Sequence, residues 1–238
     1  NFYIDGFIGE PEIPEIAKLA HDNGLPLVED LGSGAMMDTD KLAPIEHEPT
    51  PLECLKRGID LVIFSGDKLL GGPQSGIIGG RADMVAKIKK EPFFRAVRCD
   101  KLILTTLQES IDQYLENKAD PTQSDVPVLT FLRAEIEALK IRAEKIIANL
   151  PGEHAEISIE NTTARPGGGT MPRSEIPSIA IKIVPRNQSV PKLARKLRNG
   201  DAAVVGYTTD DALFLDLRTI FPESDELVTE ALSATLIN

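Results

Sequence analysis

The tightest constraint on this chain is an arrangement used twice in its first 65 residues. A short helix-type segment is closed by a glycine and runs directly into an apolar strand-type segment. In "EPEIPEIAKLAHDNG" the residues Ile13, Ile16, Ala17 and Ala20 share one helical face, and Gly24 closes the helix. "LPLVED" then reads as a short buried strand. "PLECLKRG" repeats the arrangement with Gly58, and "DLVIFS" follows. Strands that are apolar throughout, instead of alternating, belong to sheets covered on both faces, which is the pattern of α/β folds with parallel strands. "GIIGG" and "RADMVAKIKK" add a further strand and helix, carrying the α/β part to about Lys90.

The next segment, "EPFFRAVRCDKLILTTLQESIDQYLENKAD", is predicted to be helical for most of its length and passes into the polar stretch "NKADPTQSD". One long helix is predicted over 126–150, followed by strands "AEISIE" and "PSIAIKIV" and the helix "VPKLARKLRNG" closed by Gly200. "AAVVGYT" and "ALFLDLR" form a predicted hairpin across Asp210-Asp211, and "ESDELVTEALSATL" is the last helix, with Ser224 as its N-cap and glutamates in its first turn. The expected architecture is two αβ lobes joined by a long helix, residues 1–124 and 125–238. Neither an internal repeat nor a low-complexity segment is visible.

Composition bounds the function. A chain of 238 residues with 42% apolar content can bury a substantial core. No apolar run approaches the roughly 18 residues of a membrane-spanning helix, and the first residues lack a signal-peptide pattern, so a cytoplasmic protein without membrane contact is expected. Two cysteines, Cys54 and Cys99, and three histidines give neither a disulfide framework nor a zinc site, and no metal is expected. A net charge of −11 argues against a polypeptide that wraps nucleic acid as a whole, although local basic clusters stay open. The chain opens at Asn1 in "NFYIDGFIG", which reads as the middle of a fold. A C-terminal fragment of a longer protein is therefore expected.

"FSGDKLLGGPQSG", Phe64 to Gly76, carries the chemistry. An apolar strand delivers the chain to Lys68, with Ser65 three positions before it and Gly71, Gly72 and Gly76 after it. An amine held against one atom, beside a hydroxyl and backbone amides that can hold a phosphate, suits a Schiff base with an aldehyde cofactor, and pyridoxal 5'-phosphate meets all three demands. That cofactor also needs an anion at its ring nitrogen. "VEDLGSG" offers Asp30 at the end of the preceding strand, on the same sheet edge as Lys68 if the strands are parallel. Ser65, with Gly71 and Gly72 beside it, is assigned to the cofactor phosphate. Each residue alone has a plainer reading: Lys68 as a solvated lysine, Asp30 as a cap. "ARPGGGTMP" lacks the signatures of a phosphate loop and reads as a glycine turn. His21, His47 and His154 are scattered and read as structural or exposed.

"VEDLGSGAMMD", "DLVIFSGDKLLGGPQSGIIGG", "KIKKEPFFRAVRCDKLILTTLQ", "GGGTMP" and "LFLDLRTIFPESDELVTEAL" resemble, in order and over nearly the whole chain, successive blocks of the bacterial selenocysteine synthases, the L-seryl-tRNA(Sec) selenium transferases. The resemblance implies a fold-type I pyridoxal-phosphate-dependent enzyme: part of the large domain in 1–124, and a smaller αβ domain in 125–238. It makes Lys68 the cofactor lysine and Asp67 an active-site aspartate that tunes or relays a proton. It also implies that tRNA-bound serine is dehydrated to an aminoacrylate, to which selenium from selenophosphate adds. Arg95 and Arg98, three apart in "FFRAVRCDK", would share a helical face and hold the donor oxyanion. Family members assemble as homo-oligomers built from dimers, and tRNA(Sec) binds through a preceding N-terminal part, so this fragment alone is not expected to be a competent enzyme. A lyase or aldolase of the same superfamily, acting on a small amino acid or amino sugar, and a non-catalytic oligomerisation module are the competing readings.

Overall fold

A computed structural model describes residues 6, 7, 9, 11–117, 120 and 123–237. "NFYIDGFIG" and the centre of "NKADPTQSD" thus lie largely outside the described residues. The chain divides into two compact units: Asn1–Arg133 with Arg165–Ser174, and Ala134–Ala164 with Glu175–Asn238. Among the described residues no helix is long and apolar enough to cross a membrane.

The first unit is built on α1 (Ile13–Asp22), β1 (Val28–Gly32), α2 (Pro51–Lys56), β2 (Leu61–Ser65), β3 (Gly76–Gly80), α3 (Ala82–Lys90), α4 (Pro92–Val97), α5 (Lys101–Glu116) and α6 (Pro127–Arg133). Both glycine-closed helices form as the sequence predicts. The α1 helix ends with Gly24 at φ 67°, its amide bonded to the His21 carbonyl. The α2 helix starts from a reciprocal cap: Thr50 Oγ1 accepts from the Glu53 amide, and the Glu53 carboxylate accepts from the Thr50 amide at 2.8 Å. The strands form a sheet of order β1-β2-β3, with β1 parallel and β3 antiparallel to β2. Central β2 sends Val62 and Phe64 into a core with Cys54 and Ile59, which Ile13, Leu27, Leu31, Leu55 and Ile77 complete. At the edge where β1 and β2 begin, the Asp60 carboxylate accepts from the Leu27 amide (2.8 Å), His21 Nε2 (2.8 Å) and Arg81 Nη1 (3.0 Å). Those bonds, the Leu27 amide first, hold its carboxyl down at about 2.

The second unit contains α7 (Ile136–Ala148), β4 (Ala155–Ala164), β5 (Ile176–Pro185), α8 (Val190–Asn199), β6 (Tyr207–Thr209), β7 (Ala212–Asp216) and α9 (Asp225–Ile237). Its antiparallel sheet has the order β4-β5-β7-β6. Strand alternation places Ile179, Ile181 and Ile183 of β5 with Leu213 and Leu215 of β7 on the face that meets the helices. There they join Leu139, Ala143, Ile146, Leu193, Leu197, Val228 and Leu232 in one core. The hairpin turn falls at Asp210 (φ 49°) and Asp211 (φ 54°), the left-handed pair that a two-residue hairpin requires. Its first strand is shorter than predicted: it begins at Tyr207, and Ala203, at φ 46°, is not extended.

Two expectations are corrected. The helix predicted over 126–150 is two helices, α6 and α7, with Glu135 extended between them (φ −75°, ψ 139°). Leu129 and Leu132 are buried in α6, whereas Leu139, Ala143 and Ile146 enter the second unit's core. The interruption falls at the unit boundary, and no proline or glycine marks it. Ser224 does not cap the last helix either. It lies inside the 3₁₀ turn Pro222–Ser224, and the extended residue before that turn is Phe221. What fixes the start of α9 is Arg142 on α7. Its guanidinium bonds both Asp225 oxygens (Nε 2.9 Å, Nη2 2.7 Å) and the carbonyls of Leu217 (3.1 Å) and Ile220 (2.7 Å).

Candidate active site

The parallel register of β1 and β2 pairs Val28 with Leu61, Glu29 with Val62 and Asp30 with Ile63, then skips to Gly32 with Phe64. Asp30 lies inside β1, two residues before its end, and the turn to Lys68 starts from Ser65, the last residue of β2, so both lie toward the same carboxyl edge, where ligands of open α/β sheets bind. Two backbone contacts lock the adjoining loops together. The Leu69 amide donates to the Ser33 carbonyl at 3.0 Å. Gly34 lies so close to β2 that a Cβ there would sit 2.7 Å from the Ser65 carbonyl oxygen, at φ 70°. Only glycine fits that position.

The turn itself is closed from three sides. Gly71 donates to the Lys68 carbonyl (2.9 Å), Gly72 to the Gly66 carbonyl (2.8 Å), and Gly66 to the Ser75 carbonyl (2.9 Å). Below it, Tyr114 Oη on α5 faces the consecutive carbonyls of Leu69 (3.3 Å) and Leu70 (3.0 Å) and shares its one proton between them. Burial raises the Tyr114 pKa, so the phenol stays a donor at every working pH. Leu69 and Leu70 are buried on either side of these bonds, while Lys68 is half-buried and Asp67 exposed. Lys68 thus sits on a turn whose backbone is held from several sides.

Asp30, Ser65, Asp67 and Lys68 are brought to one edge. Gly71 and Gly72 approach protein closely: a Cβ on Gly71 (φ 75°) would sit 2.4 Å from Val126 Cγ1, and one on Gly72 would meet Gly66 O and Ser110 Oγ at 3.2 and 3.3 Å. Arg95 is exposed on α4, but that helix ends at Val97, and Arg98 is extended (φ −65°, ψ 140°). The shared helical face expected for the two arginines is therefore not formed, since the three-residue spacing crosses a helix end. Among the described residues no ion pair or side-chain hydrogen bond joins either to the Lys68 turn.

Sequence reasoning missed Ser33 and Tyr114. Ser33 is 3% exposed, and its Oγ has no partner among the described residues, although its carbonyl holds the turn that carries Lys68. A buried hydroxyl without a partner is costly, and one on the loop that holds the Lys68 turn would gain a partner from an aldehyde cofactor with ring and phosphate oxygens. The donor set of Lys68, Asp30, Ser65 and Ser33 fits such a group. Ser33 stands between two glycines in "LGSG", which was the available signal. Tyr114 had none, because its spacing on α5 looks like core.

Other chemistry-bearing residues turn inward or pair locally. Burial, and after it the Glu29 carboxyl, pushes the Cys54 thiol up to about 12, which makes it a core side chain. His47 contacts Asp40 (3.1 Å) and Glu53 (3.2 Å), and Asp38, His47 and Glu53 bring ligand-type atoms within 4.8 Å of one another. There Asp38 is paired with Lys41, and Glu53 is engaged in the Thr50 cap.

Tyr114→Phe is expected to preserve packing while leaving two carbonyls of the Lys68 turn without their donor. Hydrogen exchange at the Leu69, Gly71 and Gly72 amides should accelerate about five- to tenfold, the equivalent of one net hydrogen bond of about 1 kcal/mol. Unchanged exchange there would remove Tyr114 from the support of the turn.

The α/β sheet with its parallel β1–β2 pair, followed by a separate αβ unit, gives the chain the fold class of the fold-type I enzymes. The solved structure of a D-glucosaminate-6-phosphate ammonia-lyase is similar in fold, at a TM-score of 0.55 and 19% identity, covering 96% of this chain and 54% of that one. The chain belongs to the L-seryl-tRNA selenium transferase family, which it matches over residues 1–221. It is 37% identical to the L-seryl-tRNA(Sec) selenium transferase of Aquifex aeolicus (strain VF5), over 99% of this chain and 52% of that protein. The corresponding transferase of Carboxydothermus hydrogenoformans is 40% identical, over 100% of this chain and 50% of its own length. The chain thus spans about half the length of the curated relatives it matches.

Proposed function

We propose that this chain contributes the lysine-bearing half of an enzyme that converts seryl-tRNA(Sec) to selenocysteinyl-tRNA(Sec) with selenophosphate as donor. The observation that carries the reading is the placement of Lys68, on a turn fixed by Ser33, Gly66 and Tyr114, at the same sheet edge as Asp30. Pyridoxal 5'-phosphate, when bound, supplies a protonated ring that withdraws the electron pair left at the seryl α-carbon. Lys68 Nζ anchors the cofactor aldehyde. Its free amine would take the Cα proton and deliver a proton to the departing Cβ hydroxyl, which leaves as water. Asp30 keeps the ring nitrogen protonated, and Ser65 with Gly71 and Gly72 borders the phosphate. Asp67 adjoins the amine and tunes its proton.

Arg95 and Arg98 hold the donor oxyanion while selenium bonds to Cβ and a proton returns to Cα; water then cleaves the Se–P bond, taking the phosphoryl group away as phosphate and leaving the selenol. In this reading residues 1–124 belong to the cofactor-binding large domain and 125–238 to the small domain. The enzyme works in the cytoplasm as a homo-oligomer built from dimers, and tRNA(Sec) binds through a part preceding this chain.

Separate measurement of the two half-reactions tests this, in protein of the relatives' length. Arg95→Ala or Arg98→Ala should reduce selenium incorporation about ten- to a hundredfold, the loss of charge-assisted hydrogen bonds worth roughly 1.5–3 kcal/mol, and leave dehydration of the seryl group nearly unchanged. Equal loss in both steps would count against a donor site and in favour of a lyase-type role.

A further inference from the structure

Between Ile176 and Gly200 the sequence carries six Lys and Arg residues and no Asp or Glu, in a chain whose net charge is −11. The helix α8 concentrates four of them: Lys192, Arg195, Lys196 and Arg198. At 100° per residue they fall within an arc of roughly 160°, opposite the face that buries Leu193 (0% exposed) and Leu197 (2%). Lys192, Arg195 and Arg198 are exposed, and among the described residues none of the four makes an ion pair or side-chain hydrogen bond. Several cations elsewhere are met by nearby acids, as Lys18 is by Asp22 and Arg81 by Asp60 and Asp83. Unpaired like charges spread along about 9 Å of one helix repel one another, a cost that a polyanion would reverse.

We propose that the exposed face of α8 is a docking surface for the phosphate backbone of an RNA. A lipid surface is disfavoured because the apolar face of α8 is committed to the core, leaving nothing to insert. A protein partner is disfavoured because the basic face presents no exposed apolar anchor for the centre of an interface: Val190 and Ala194 are half-buried, and both leucines are covered. What remains is a row of cations suited to phosphates and indifferent to bases. The choice of a tRNA among RNAs rests on the proposed function; the polyanion chemistry does not.

The test is fluorescence anisotropy of a labelled tRNA transcript with the 238-residue chain, at several salt concentrations. The unaltered chain should bind with a log–log salt slope of about two to three, the release expected for three neutralised phosphates. The triple variant Lys192→Glu, Arg195→Glu, Arg198→Glu should lose at least tenfold in affinity and most of that slope, with its melting temperature unchanged. Should the reversed variant unfold, the triple Gln variant, which keeps helix propensity, decides. Lys68→Ala should bind the transcript as the unaltered chain does, so failure of the catalytic reading and failure of this surface are read separately. Absent RNA binding, or RNA binding that survives the triple substitution, overturns the proposal. Binding through the same residues to polyglutamate or phosphatidylserine vesicles as tight as to RNA overturns it as well.

Discussion

Lys68→Ala, in protein of the relatives' length, is expected to abolish the borohydride-trapped pyridoxal-phosphate adduct at this position and, with it, turnover. The expectation follows from geometry. Lys68 sits on a turn whose carbonyls are held by Gly71, Gly72 and Tyr114, directly after β2, so the backbone that carries its amine is fixed. Neighbouring lysines have no such support: Lys87, Lys89 and Lys90 lie in the last turn of α3. Peptide mapping after reduction reads the outcome independently of activity. A reduced adduct of equal yield on another lysine in the variant would move the cofactor site elsewhere. Lys68→Arg should fail just as completely, because a guanidinium stays protonated and is no nucleophile at working pH.

The second large effect is on stability. Arg142→Ala is expected to destabilise the second unit by about 3 kcal/mol, since removing one member of a largely buried pair leaves the Asp225 carboxylate and two carbonyls without their donors. For a unit of about a hundred residues that corresponds to a fall of roughly 10–20 °C in Tm. Arg142→Lys should recover only a minor part, because one ammonium cannot span Asp225, Leu217 and Ile220 together. Calorimetry decides: a shift below about 3 °C for Arg142→Ala would show that the carbonyls find other donors. The cofactor adduct at Lys68 should persist in this variant at low temperature, because the adduct forms in the other unit.

The regular parts of both units were legible because their patterns are physical. Glycine-closed helices followed by continuous apolar runs left few alternatives for β1 and β2, and Asp210-Asp211 announced a hairpin. The Lys68 edge was legible for the same reason, as a lysine among glycines at a strand end is a local signal. Three things were not. The interruption at Glu135 depends on which core each half of the helix enters, and that is a tertiary choice. The expected face shared by Arg95 and Arg98 failed because helix ends are poorly specified locally, here at Val97. Tyr114 was invisible because a buried tyrosine at core spacing gives no hint that its hydroxyl reaches two carbonyls more than forty residues earlier in the chain.

The glycine loop Arg165–Ser174 belongs to the first unit although β4 and β5 of the second flank it. The polypeptide therefore changes allegiance three times, at 133/134, 164/165 and 174/175. Synthesis on the ribosome cannot finish the first unit before residue 174 has emerged, by which point part of the second is already outside the exit tunnel, so the two must mature together. For the same reason no single truncation yields either unit whole. A deletion that seems to trim the second unit also strips the first of a segment carrying the buried side chains Thr170, Met171 and Ser174. Any attempt to graft the lysine-bearing sheet onto another scaffold has to carry that loop as a separate insertion.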